Sequence, residues 1–176
     1  MRAMGPGSVS SLLKTALDVV YWMLWGLLGL TLVGTLLMLA LPGLESNVTA
    51  QIVQSGQAMP LPGVMLGGVM LAFMVSLGGF VMIVGLLRRI FDTLAAGDPF
   101  HPRNVRRLRL IGMLLAGVEL FGYATRVAAA MMTAVQLEPG YGIRAVTTWF
   151  SVLVVFVLAE VFREGARLRR ESELTI

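Results

Sequence analysis

Four apolar blocks, each close to the length needed to cross a bilayer, dominate this chain of 176 residues. A hydrocarbon core of about 30 Å is spanned by about 20 helical residues rising ~1.5 Å each. The blocks at 17–41, 63–87, 108–135 and 145–162 meet that requirement. With 57% hydrophobic and 14% charged residues, the composition also lies outside the range of soluble domains. These features predict an all-α, polytopic membrane protein. It is one membrane domain over 1–176, a bundle of four transmembrane helices with the lipid bilayer as its first partner.

The first block follows a polar leader holding Arg2 and Lys14. It is longer than a signal-peptide core, and Met38-Leu39-Ala40-Leu41 lacks small residues at cleavage spacing, so an uncleaved helix is expected. Pro42-Gly43 ends it. The connection at 44–62 carries a single charge, Glu45, and turn residues Pro60 and Pro62. The link at 136–142 contains Pro139-Gly140. Both read as extracytoplasmic, and the Asn47-Val48-Thr49 sequon reads as accidental. Between spans 2 and 3, Gly97-Asp98-Pro99 predicts a helical break, because glycine suits a helix C-cap and proline cannot continue the ladder. The third helix is expected to carry Pro102 in its first turn, with His101 or Asn104 as its cap.

Basic residues set the orientation. Arg2 and Lys14 precede the first span; Arg88, Arg89, Arg103, Arg106, Arg107 and Arg109 lie between spans 2 and 3; Arg163, Arg167, Arg169 and Arg170 follow span 4. The opposite connections hold only Arg144. The positive-inside effect therefore places both termini and the middle loop in the cytoplasm. The same effect accounts for the net charge of +4 without invoking nucleic acid, and no recognition fold precedes the basic helix.

The chain has no cysteine and one histidine, His101, which removes thiolate chemistry and makes a histidine-rich metal or haem site implausible. There is no HExxH, GxSxG or Walker loop, and no pair of membrane aspartates. A non-enzymatic protein is expected, with no catalytic residue, metal or cofactor. One acidic residue, Glu119, falls mid-span, where burying a charge costs at least ~2.5 kcal/mol. Arg126 lies two turns along on the same face, and Tyr123, one turn away, offers a hydrogen bond. This group is either a carboxyl that joins helices or the centre of a small ion-coupled transporter. Gly-rich spans favour close helix packing, the Gly78-Gly79 pair is where a kink would fall, and the Gly63/Gly67 and Ala124/Ala128 spacings leave a homo-oligomer open.

The basic loop is the stronger candidate surface. Arg103, Arg106, Arg107 and Arg109 crowd one helix start, suited to anionic lipid or to the acidic face of a cytoplasmic partner. In the tail at 163–176, Arg163, Arg167 and Arg170 recur at helical spacing, and Glu171 and Glu173 follow Arg167 and Arg169 by four. The tail is thus expected to continue the fourth helix, with Leu174-Thr175-Ile176 folding back on the middle loop.

Two segments carry a resemblance. Gly97-Asp98-Pro99-Phe100, Asn104, Arg107-Leu108-Arg109 and Ile111-Gly112 in the loop, with Phe162, Gly165, Leu168 and Leu174-Thr175-Ile176 in the tail, resemble a bacterial membrane-protein family of unknown function, DUF2975. His101 and Arg170 depart from its usual pattern. The resemblance implies a multi-pass protein of the bacterial inner membrane, whose relatives are often encoded beside a helix-turn-helix regulator. It implies no activity. Asp98, Phe100, Asn104, Arg106, Arg107, Arg109 and Arg167 are therefore expected to form a cytoplasmic docking surface for such a regulator or another membrane protein.

Overall fold

The computed structural model describes residues 9–40, 63–133 and 143–174, and all of its regular structure is helical. The connections at 44–62 and 136–142, the leader with Arg2, and Thr175-Ile176 lie outside the described residues. Helix α1 runs Val9–Ala40, α2 Gly63–Ala95, α3 Pro102–Thr133 and α4 Ile143–Glu173. Each contains a stretch long and apolar enough to cross a membrane: Leu12–Leu37, Gly67–Ala95, Pro102–Met131 and Ala145–Ser172. The chain is thus all-α with four candidate spans. The helices outrun the apolar blocks: α2 continues past Leu87, α3 starts before Leu108, and α4 continues through most of the charged tail, as its i, i+4 pairs predict. Helix α2 also runs through Gly78-Gly79 without interruption.

Successive helices are antiparallel. Contacts between α1 and α2 step from Lys14–Asp92 through Asp18–Arg88 to Thr35–Met70, descending one helix as they climb the other. The α2–α3 contacts step from Thr93–Asn104 to Gly79–Val118, and the α3–α4 contacts from Arg109–Glu160 to Gly112–Phe156. This alternation gathers Lys14, Arg88, Arg89, the start of α3 and the end of α4 at one end of the molecule.

The packing is less closed than a bundle. Among the described residues, backbones approach within 8 Å (Cα–Cα) only between α1 and α2, α2 and α3, and α3 and α4. The core cluster of Ile83, Ile90, Leu108, Ile111 and Ala159 comes from α2, α3 and α4, with nothing from α1. The physical reason is that acyl chains solvate apolar side chains as well as other helices do, so an apolar face gives a helix no drive to close a ring. Small residues decide instead where helices meet. A Cβ on Gly79 would collide with Val118, and one on Gly112 would sit 3.0 Å from the Phe156 ring. The Gly63/Gly67 and Ala124/Ala128 spacings do not carry this packing: a Cβ on Gly67 would meet nothing within 4 Å, and Ala124 and Ala128 are exposed.

Within the spans, hydroxyls are returned to their own helices. Thr31, Ser76, Thr125 and Ser151 each donate to a carbonyl three or four residues earlier, at 2.8–3.0 Å. These four hydroxyl hydrogens thereby find partners that lipid would not supply.

Candidate functional site

The segment between α2 and α3 is built by its own residues. Gly97 takes φ +81°, and the last turn of α2 closes with Gly97 N–H donating to Leu94 O at 3.0 Å and Asp98 N–H to Thr93 O at 3.1 Å. This paired pattern needs the left-handed residue that glycine supplies without strain. His101 caps α3: its Nδ1 accepts from Arg103 N–H at 3.1 Å, and its carbonyl accepts from Asn104 N–H at 2.8 Å. Pro102, at the first helical position, gives up no hydrogen bond there. Of the two caps the sequence allowed, His101 is the one used.

Asn104 has another task. It is fully buried, and its Nδ2 donates to Thr93 Oγ1 at 2.6 Å and to Pro99 O at 3.1 Å. Its Oδ1 accepts from Arg107, whose guanidinium also donates to Arg89 O at 2.7 Å. These bonds tie the end of α2, the turn and the start of α3 together, and satisfy the amide whose burial would otherwise be unfavourable.

The turn is then fixed to α4. Asp98 Oδ1 accepts from Arg169 at 2.6 Å. Phe100 packs on Phe162 with ring centroids 5.6 Å apart and lies over Gly165 so closely that a Cβ there would fall 2.5 Å from the ring. Glu160 bridges Arg163 on its own helix and Arg109 on α3, the latter at 3.8 Å. Arg167 pairs along α4 with Glu164 at 2.8 Å and Glu171 at 3.3 Å. The loop and tail segments singled out in the sequence thus meet side chain to side chain, although Leu174 itself stays exposed.

The chain as a whole can now be compared with others. A family model described as a protein of unknown function (DUF2975) matches residues 47–176. The chain belongs to the DUF2975 family. The matched residues include every helix that supplies the core, and α1 precedes them. No curated protein and no solved structure matches the chain significantly.

In this DUF2975 protein the predicted docking residues divide by role. Asn104 and Arg107 face inward and hold the turn; Asp98 and Phe100 join it to α4; Arg106, Arg109 and Arg167 are exposed. Arg103, Arg106 and Arg170 make no ion pair among the described residues. A cleft of about 490 Å³ lies between the α3 start and the α4 end, lined by Pro102, Val105, Arg163, Glu164, Arg167 and Arg170.

The second predicted cluster is looser. Glu119 is half-buried with no ion pair to Arg126, and the Arg126 guanidinium instead sits 5.5 Å from the centroid of the Tyr123 ring. No group of three or more His, Asp or Glu side chains able to hold a metal occurs among the described residues.

Sequence reasoning passed over a further polar site between α1 and α2. Lys14 pairs with Asp92 at 2.7 Å, Asp18 with Arg88 at 2.6 Å, and the Arg88 guanidinium lies 4.5 Å from the centroid of the Tyr21 ring. The signal was available. Lys14 and Asp18 on one helix, and Arg88 and Asp92 on the other, stand four apart in the same order, basic then acidic, which an antiparallel pair of helices brings into opposite-charge register.

Proposed function

We propose that this protein is a non-enzymatic interaction protein of the bacterial inner membrane, with both termini inside, whose cytoplasmic end presents a preorganised basic platform to an acidic partner. The observation that carries this reading is the division of labour around the α2–α3 turn. Asn104, Arg107, Asp98 and Phe100 are spent on fixing the turn to α4, while Arg103, Arg106 and Arg170 stay exposed and without an ion pair among the described residues. A surface ordered before binding loses less entropy on docking, and cations that are not already paired leave a partner's carboxylates more to gain. The cleft between Pro102 and Arg170 gives that surface a concave centre. A helix-turn-helix regulator with an acidic face is the partner class that the family resemblance suggests, with no direct nucleic-acid contact. Anionic lipid and a second copy of the chain are weaker occupants of this end.

The test is in-cell crosslinking and mass spectrometry of the tagged protein beside an Arg103/Arg106/Arg170→Ala variant, which leaves the Arg107 bonds intact. Capture of one soluble acidic protein, lost in the variant and regained by direct binding of the purified pair at low salt, is the expected result. Equal capture by both forms counts against the platform. Orientation is checked by reporter fusions after Ile176 and within 44–62, which must report opposite sides.

A second reading, ion-coupled transport, is motivated by Glu119, a half-buried mid-helix carboxylate that forms no ion pair among the described residues. Cation-dependent flux in proteoliposomes that disappears in Glu119→Gln would favour it over the platform.

A further inference from the structure

The open packing of α1 leaves a groove along α2, walled by α1 on one side and α3 on the other. Its deeper part, about 600 Å³, is lined by Trp25, Gly78, Met82, Gly117 and Phe121 among other apolar residues. Its outer part, about 470 Å³, shares Trp25, Val81 and Met82 with the first and ends at Tyr21, Arg88, Arg89 and Asp92. The two are one channel, apolar inside and charged at the mouth.

Three observations identify what fits it. The deep part is almost wholly apolar: its lining is aliphatic, aromatic and glycine apart from Ser76, whose hydroxyl is already donated to Ala72 O. It therefore suits an alkyl chain and rejects a polar solute. Beside the charged residues at the mouth stands Tyr21, in edge contact with both Trp22 and Trp25, and such aromatic clusters favour the headgroup level of a membrane. From Arg89 to Val75, the deepest α2 residue of the lining, the helix rises roughly 21 Å, against roughly 20 Å for half of a bilayer measured with its headgroup region. The channel is one leaflet deep. A packed transmembrane helix would need a seat along both leaflets.

Charge then selects the headgroup. Lys14 and Asp92, and Asp18 and Arg88, neutralise one another in pairs. Arg89 is exposed and has no such pair among the described residues, and its carbonyl accepts from the Arg107 guanidinium. The mouth keeps a net positive charge. We propose that this groove binds one anionic phospholipid, its phosphate at Arg89 and one acyl chain laid between α1 and α3 down to Gly78.

Trp25 is 46% exposed and lines both parts of the groove, so it can report the occupant. In full-length protein carrying Trp22→Phe and Trp149→Phe, Trp25 fluorescence is measured in zwitterionic vesicles doped with either anionic or zwitterionic phospholipid brominated on the acyl chain. The anionic lipid is expected to quench as though enriched about five-fold over its bulk fraction, the scale of a single cation near an anionic headgroup. Arg89→Gln abolishes the difference between the two lipids. Gly78→Leu, at a position where a Cβ meets nothing within 4 Å, fills the channel and lowers quenching by both. Equal quenching by the two lipids in the unsubstituted groove overturns the proposal. So does quenching by neither, which would mean that a second copy of the chain covers Trp25, and so does a preference that Gly78→Leu leaves untouched.

Discussion

Asp98 and Arg169, 71 positions apart, form a 2.6 Å ion pair that joins the turn after α2 to the charged extension of α4. The pair is half-exposed and worth under ~1 kcal/mol by itself. Its importance is directional, because it fixes the turn from one side while Phe100 fixes it from the other.

Gly165→Ala should force the Phe100 ring off α4 and lower stability by about 1–3 kcal/mol, the usual range for overpacking. Thermal unfolding in detergent measures this. Phe100→Ala in the same background should recover part of the loss, since the two sites share one contact. Additive losses would show that the ring is not what Gly165 accommodates.

Asn104→Leu should be among the most damaging substitutions at this end. It removes one bond each from Thr93 Oγ1, Pro99 O and the Arg107 guanidinium, at a cost of about 1–3 kcal/mol. Arg106→Ala, at an exposed position two residues on, should leave the unfolding midpoint unchanged. A drop of similar size in both would mean that burial of Asn104 does not distinguish them.

The adjacent glycines of α2 should behave oppositely. Gly79→Ala places a Cβ against Val118 and is expected to separate α2 from α3, whereas Gly78→Ala meets no atom within 4 Å and gains helix propensity of up to about 1 kcal/mol. Paired unfolding curves, with Val118→Ala as the compensating change for Gly79→Ala, decide this.

The α1–α2 clasp predicts a charge-swap rescue. Asp18→Arg alone sets two cations together beside Tyr21 and should loosen α1; combining it with Arg88→Asp should restore the packing. Because the chain has no cysteine, a cysteine pair introduced at Thr35 and Met74, whose Oγ1 and Sδ lie 3.7 Å apart, gives the readout as yield with a short bifunctional thiol crosslinker in native membranes. Equal yields in the single and double variants would place α1's hold on α2 elsewhere.

How much of this was legible follows from what each signal measures. Hydropathy reports what lipid will accept, so the four spans, the Gly97 turn and the continuation of α4 could all be read from sequence. It averages over a window, and so it placed Asp18 silently inside an apolar block and stopped α2 before Asp92. Nor could it say that Asn104 points inward: a polar residue in a basic loop reads as surface until the hydroxyl of Thr93, eleven residues earlier, is seen to meet it. The arrangement of the helices was the least legible feature, since in lipid it depends on which glycines approach which side chains, and Gly79 and Gly78 look alike in one dimension.

The restriction of close backbone contact to consecutive helices also bears on biosynthesis. Each span, on leaving the insertion machinery, meets as its partner the span made immediately before it, and among the described residues none has to wait for a helix still to be synthesised beyond the next. Assembly can therefore keep pace with translation, one hairpin at a time. Of the four helices, α1, which adds nothing to the core cluster, is the one whose delayed docking the other three would best tolerate.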